Sequence, residues 1–367
     1  MTTVEKFLKK PIFSLIFSVL LGFLVSSIIL VITGYSVPDV LQSLFEGVFS
    51  RPRHMANVII KSTPIILTGV SIALAFKAGL FNMGAEGQFI LGSVAALITG
   101  SILDLPPVLQ VLAIIVSGII AGALLGALTG FLKSKFGAHE VITGIMFNWM
   151  ALHFSNFIVN LKEFHKPNSA STFPIKSSGF TGIRSNLGFL KDTSFSDILK
   201  TEVNLGIIIA VIVAIFMSIV INKTKKGYEI CAIGLNEKAA ESAGMNVFKN
   251  IIQVMTVSGG ISGLAAALMV TGISPHSVSA STNFENNGFN GLAVALIASN
   301  SPIGCIFSGL FFGGLLYGGR SVQADVGTPS EIINIIIGVI IFFVAIAKIF
   351  PLVVSKFSKK NCEENHA

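Results

Sequence analysis

The chain has 367 residues, of which 52% are hydrophobic and 12% charged, with a formal net charge of +7 and a mean hydropathy of +0.81. Soluble domains carry about a quarter charged residues, so this chain lacks the polar surface to cover a water-facing globule, which excludes a soluble enzyme or binding module. The basic residues stand at the ends of apolar runs and form no aromatic-interleaved patch, which excludes a nucleic-acid surface. What remains is an all-α integral membrane protein, and the apolar runs are enough for a bundle of about ten transmembrane helices.

In chain order, Pro11–Thr33 follows Lys9-Lys10. Its apolar part is longer than a signal-peptide core and has no small-residue cleavage site, so it reads as a first, uncleaved span over 11–33. Residues 36–50 open at Pro38-Asp39 and put Val40, Leu41, Leu44, Phe45 and Val48 on one side, the pattern of a helix lying along the membrane interface. Further spans are expected at 58–76, 83–101, 108–132, 140–161, 204–222, 250–272, 284–300, 302–319 and 331–350. Lysines gather on one side: Lys6, Lys9 and Lys10, then Lys77, Lys133 and Lys135, then Lys223, Lys225, Lys226, Lys238 and Lys249, and last Lys356, Lys359 and Lys360. The opposite short loops carry little more than Arg51, Arg53 and Arg320, so the positive-inside rule sets both termini in the cytoplasm. The long, Ser/Gly-rich stretch 162–203 then falls outside.

Two segments break the simple pattern. Ala78–Gly92 and Asn283–Gly304 are punctuated by glycine, carry amides and carboxylates, and occupy comparable places in the two halves. Paired interruptions of this kind point to broken or re-entrant helices around a midplane site. The candidate substrate-binding residues are Asn82, Glu86, Gln88, Asn148, Trp149, Phe284 and Asn290. Glu86, in otherwise apolar sequence, either meets substrate, or holds two broken helices together, or caps a helix start. Asn148 beside Trp149 suits a flat polar ligand that needs a stacking face and hydrogen bonds at its edge; an interhelical hydrogen bond and a packed ring are the alternative. Cys231, Cys305 and Cys362 are scattered and His139, His153 and His276 isolated, so no metal site is expected. No paired carboxylates, Ser-His arrangement or phosphate-binding Gly-x-x-x-x-Gly-Lys-Ser/Thr loop occurs, so the chain reads as neither an enzyme nor an ATPase of the usual kind.

The segment Lys225–Asn250 has its own grammar. Asn236 is placed to cap a short helix over Glu237–Ala243, and Gly244 to end it in the left-handed conformation. A helix of about two turns does not persist alone in water, and Ala239, Ala240, Ala243 and Gly244 allow a partner surface to come close.

This segment resembles the coupling loop of ATP-binding cassette importer permeases of the branched-chain amino acid, ribose and nucleoside type, on Gly234, Asn236, Ala239, Ala240, Ala243 and Gly244. The stretches Phe76–Gly92 and Gly288–Gly304 are similar to those of nucleoside (guanosine) or simple-sugar permeases that work with a basic-membrane-protein-type lipoprotein. Asn290 stands where Asp is common, which removes an ionic contact but keeps a hydrogen-bonding amide. The resemblance implies one permease domain over 1–367, with the core at 58–350, the external loop at 162–203 and a cytoplasmic coupling loop at 223–249. It implies a cytoplasmic ATP-binding subunit that holds ATP and magnesium, a second, non-identical permease and an external substrate-binding lipoprotein, in the cytoplasmic (inner) membrane, with no cofactor in this chain. The cargo expected is a purine nucleoside. A sugar or branched-chain amino acid permease of the same build and an ion-coupled secondary transporter are the competing readings.

Overall fold

A computed structural model of the chain describes residues 11–181 and 204–346. Lys6, Lys9, Lys10, Lys356, Lys359, Lys360, Cys362, residues 182–203 of the expected external loop and the end of the last expected span lie outside them. Among the described residues there are thirteen α-helices and isolated bridges but no strand: α1 (Pro11–Ile32), α2 (Val37–Phe49), α3 (Pro52–Lys77), α4 (Ala85–Ile102), α5 (Pro107–Phe136), α6 (Glu140–Val159), α7 (Gly206–Lys223), α8 (Lys225–Leu235), α9 (Glu237–Ser242), α10 (Val247–Gly272), α11 (Asn287–Ile297), α12 (Pro302–Val326) and α13 (Ser330–Ala345). Seven of them, α3 to α7, α10 and α12, are long and apolar enough to cross a membrane; Ile16–Ile32, α11 and Ser330–Val344 are shorter apolar helices.

The chain divides into two units, residues 1–50 with 315–367 and residues 51–314. In the first, α1 packs along α13, with Gly22 against the Ile340 backbone and Ser26 Oγ donating to the Ile336 carbonyl at 3.4 Å. The expected apolar side of α2 is divided. Val40 and Val48 are buried while Leu41, Phe45 and Phe49 are exposed, because Gly47 seats α2 against Ser321 and the Leu44 carbonyl abuts Gly318.

The second unit is built on a seam of glycines. Gly118, Gly122, Gly126 and Gly130 recur every fourth residue on α5 and so share one face. They meet Gly259, Gly263, Met255 and Ile252 of α10 backbone to backbone. Where water offers no competing hydrophobic drive, small residues of this kind set how closely membrane helices approach and how much van der Waals contact they gain. A methyl on Gly122 would stand 2.9 Å from Gly263 Cα, and one on Gly118 would stand 2.8 Å from Ala267 Cβ. The outward faces of α5 and α7, by contrast, carry exposed Leu112, Val116, Ile120 and Leu124, and Ile208, Ile212 and Ile219, as lipid-facing helices do.

α3 is buried along nearly all its length, and a hydroxyl cluster ties it to α10. Ser71 Oγ lies 2.9 Å from Ser258 Oγ and 2.8 Å from Ser262 Oγ, and Ser258 Oγ donates to the Ser71 carbonyl at 2.8 Å. Residues 162–181 of the expected external loop are folded down onto the segment after α10. Thr172 N–H donates to the Val278 carbonyl at 3.0 Å and Ile175 N–H to that of His276 at 2.9 Å, which buries Ile175 among Leu97, Ile114, Val159 and Val270.

Candidate functional site

Both interrupted segments form helices that start inside the bundle. α11 has only 11 residues, and Thr68 Oγ1, in the middle of α3, donates to the Asn287 carbonyl at its first turn at 2.9 Å. Asn286, with φ 64°, turns the incoming chain into α11 through the left-handed region that asparagine tolerates. Three N–H groups at that turn have no partner within the helix, and Glu86 takes them. Its Oε1 accepts from Asn286 N–H at 3.0 Å, and its Oε2 from Gly288 N–H at 2.6 Å and Phe289 N–H at 3.3 Å. The carboxylate is 0% exposed. Gly288 makes this possible, since any side chain there would collide with the Glu86 backbone. Of the readings open for Glu86, the geometry is that of a bond between the two broken segments, with acceptor oxygens set against the unsatisfied N–H groups of a helix start.

The start of α4 is held in the same way. Asn148 Oδ1 accepts from Gly87 N–H at 2.7 Å, and its Nδ2 donates to the Met83 carbonyl at 2.9 Å. Asn82 and Gln88 pair reciprocally: Asn82 Nδ2 donates to Gln88 Oε1 at 2.9 Å, and Gln88 Nε2 to Asn82 Oδ1 at 3.2 Å. Asn82 Nδ2 also donates to Ser258 Oγ at 2.8 Å, which links the pair to the hydroxyl cluster. Buried polar groups left unpaired are costly, and here each amide is engaged within the fold.

The seven candidate residues therefore gather around the starts of α4 and α11, in two kinds. Asn82, Glu86, Gln88 and Asn148 are buried and bonded internally. Trp149, Phe284 and Asn290 are reachable. The Trp149 side chain, at 47% exposed, meets Phe284 edge-on at 4.7 Å between centroids, and Phe284 meets Phe289 in the same manner at 5.7 Å. Phe284 is backed by Ile90, Ala151 and Leu152. Asn290, half-buried, sits one turn into α11 with its N–H on the Asn286 carbonyl at 2.8 Å.

Sequence reading missed Phe289, His153 and the Ser71–Ser258–Ser262 cluster. His153 is one helical turn from Trp149 and stacks on it at 6.1 Å, 26° between planes; that spacing was the available signal. Phe289 and the serines carry only the periodicity of an ordinary buried face, so no local signal distinguished them.

The expected Asn236-capped short helix is present within 225–250, and a second helix, α8, precedes it to make a two-helix hairpin. Thr224 Oγ1 accepts from Gly227 N–H at 3.1 Å, and Asn236 Oδ1 from Ala239 N–H at 3.0 Å, so each caps a helix start. α9 ends one residue earlier than expected, at Ser242, and Gly244 turns the chain with φ 81°. Ala240 is buried beneath the hairpin, whereas Ala239, Ala243 and Gly244 are exposed. Leu235, at 88% exposed, and Tyr228 stand out from it. The bond from Lys226 Nζ, at 2.8 Å, holds the Glu229 carboxyl below the usual carboxylate range.

A helical bundle with a half-length helix capped from within, a reachable aromatic edge beside it and a capped hairpin packed on the link into α4 is the build of a membrane permease. The chain belongs to the family described as branched-chain amino acid transport system / permease component, which matches residues 54–345. It is 35% identical to the guanosine ABC transporter permease protein NupP of Bacillus subtilis, over 94% of this chain and 95% of that one. It is 33% identical to the nucleoside ABC transporter permease protein NupB of Lactococcus lactis, over 94% and 93%. Its identity to the glucose ABC transporter permease protein TsgB13 of Haloferax volcanii is 26%, over 91% and 87%.

Proposed function

We propose that this chain is the permease subunit of an ATP-binding cassette importer that carries purine nucleosides into the cell. The observation that carries the reading is the end-to-end similarity to NupP and NupB, at 35% and 33% identity. The aromatic edge formed by Trp149, Phe284 and Phe289 gives it a chemical basis, because a nucleobase offers a π-face to stack and Asn290 can serve a ribose hydroxyl or a base edge. Phosphate-free cargo also suits α11, whose positive end is already occupied by Glu86.

Energy comes from a separate ATP-binding subunit that holds ATP and magnesium. The α8–α9 hairpin is the docking surface for it, supported by the exposed Leu235, Ala239 and Ala243, apolar surface that a soluble loop would otherwise leave in water. A second, non-identical permease completes the path. The accessible face of α6 supports this, since His153 among Met146, Trp149 and Met150 is ill suited to lipid. An external lipoprotein delivers the cargo. Lys77, Lys133, Lys135 and Lys223, at the ends of α3, α5 and α7, support a bundle of about ten spans in the cytoplasmic membrane with both termini inside.

Stacking on one aromatic ring is worth about 1–3 kcal/mol per base, so Trp149→Ala is expected to lower guanosine uptake about tenfold, with Trp149→Phe close to wild type. Radiolabelled guanosine uptake into vesicles containing the complete importer checks this. Wild-type uptake by Trp149→Ala would remove the aromatic edge from the cargo path.

A further inference from the structure

The link between α3 and α4 is short, residues 78–84, and it is held at several points along its length. Its first contact is with the hairpin. Gly234, next to the end of α8, lies against Gly79 with no side chain between them: a methyl on Gly234 would stand 2.8 Å from Gly79 N and 2.9 Å from the Ala78 carbonyl carbon. A methyl on Gly79 would stand 3.1 Å from Gly234 Cα, and Gly79 itself has φ 71°. Beyond Gly79 the link is fixed in turn to α4, α10 and α6. Asn82 Nδ2 donates to Gln88 Oε1 of α4 at 2.9 Å and to Ser258 Oγ of α10 at 2.8 Å. Asn148 Nδ2 holds the Met83 carbonyl, and Gly84 is pressed on Gly144. Two residues later comes Glu86, bonded to the start of α11.

We propose that this link is the transmission element of the transporter, with Gly79, Gly234 and Glu86 as its positioning residues. Displacement of the α8–α9 hairpin enters at the Gly234–Gly79 contact and leaves through the Glu86 carboxylate, which shifts the start of α11 and with it Phe284 and Phe289. A contact between two backbones transmits a push that flexible side chains would absorb. The internal bonds of residues 80–84 leave the link little freedom to deform on its own, so small shifts pass on as a unit. The inference rests on the ATP-driven reading above and adds to it the route inside this chain.

The test uses the complete importer, with ATPase, both permeases and lipoprotein, in proteoliposomes. Uptake and ATP hydrolysis are measured together for Gly79→Ala, the half of the contact that lies outside the docking surface. Expected is hydrolysis within about twofold of wild type and at least a tenfold loss of uptake per ATP, since the methyl displaces the contact without touching cargo or ATP. An unchanged ratio overturns the proposal, including the case in which both activities fall together, which would make the contact merely structural.

A second readout does not depend on turnover. The maleimide labelling rate at Thr282→Cys, an exposed position four residues before the α11 cap, is expected to differ at least threefold between nucleotide-free and ATP-vanadate states. In Gly79→Ala that difference is expected to vanish, and its persistence overturns the relay. ATP-driven uptake by the unsubstituted importer, measured in the same vesicles, is scored separately, because its loss speaks against the functional reading rather than the route.

Discussion

Gly122→Leu is expected to prevent the second unit from reaching its folded state. The α5–α10 seam has no room at that position: the first carbon of any side chain would meet Gly263 Cα and N at 2.9 Å, and both are backbone atoms that cannot rotate away. Overpacking a well-filled core costs about 1–3 kcal/mol when side chains can adjust, and here none can, so the helices must part. Separation would also strip contacts from Gly118, Gly126, Gly259 and Gly263 along the same seam. The thermal unfolding midpoint of the detergent-purified chain checks this, with a drop of ten degrees or more, or failure to accumulate, as the expected result. Leu124→Phe, on the outward face of the same helix, is expected to melt like wild type. A Gly122→Leu chain of normal stability would mean that α5 and α10 do not meet through their glycines.

The second large effect is at Glu86. Replacing it with leucine leaves the N–H groups of Asn286, Gly288 and Phe289 without their acceptor. Each unmet buried donor costs about 1–3 kcal/mol, so the start of α11 should come loose even though the apolar core is intact. Uptake is expected to fall at least a hundredfold, with a lower unfolding midpoint. Glu86→Gln, which keeps one acceptor oxygen, is expected to lie between the two. The pattern separates a clamp from a cargo contact: a residue that only touched cargo would raise KM and leave the unfolding midpoint where it was. Unchanged stability together with a raised KM in Glu86→Leu would return Glu86 to the cargo path.

These two positions also mark what the sequence did and did not disclose. The capping of α9 was legible because Asn236 and Gly244 act through bonds within four residues, and the helix ends one residue short of expectation. The starts of α4 and α11 were legible as interruptions, since glycine, asparagine and glutamate in apolar surroundings signal a break in any apolar span. What Glu86 bonds to was not legible, because its acceptor role is completed some 200 positions away. Asn82, Gln88 and Asn148 were picked out for their polarity, but polarity alone does not distinguish an amide that faces cargo from one that caps a helix. The span read at 284–300 is helical only over Asn287–Ile297, because Asn286 in the left-handed region forbids an earlier start. The seam on α5 was within reach. Four glycines at a four-residue spacing define a face, yet glycine read as composition conceals the spacing that makes it a contact.

The most direct measurement of the central reading is guanosine uptake into proteoliposomes that contain this chain with the ATPase, second permease and lipoprotein that purify with it. The account predicts uptake that needs ATP inside the coupled system, stops when the ATPase is left out and does not respond to an ion gradient. Uptake by this chain alone, driven by a proton or sodium gradient with no ATPase present, would contradict it.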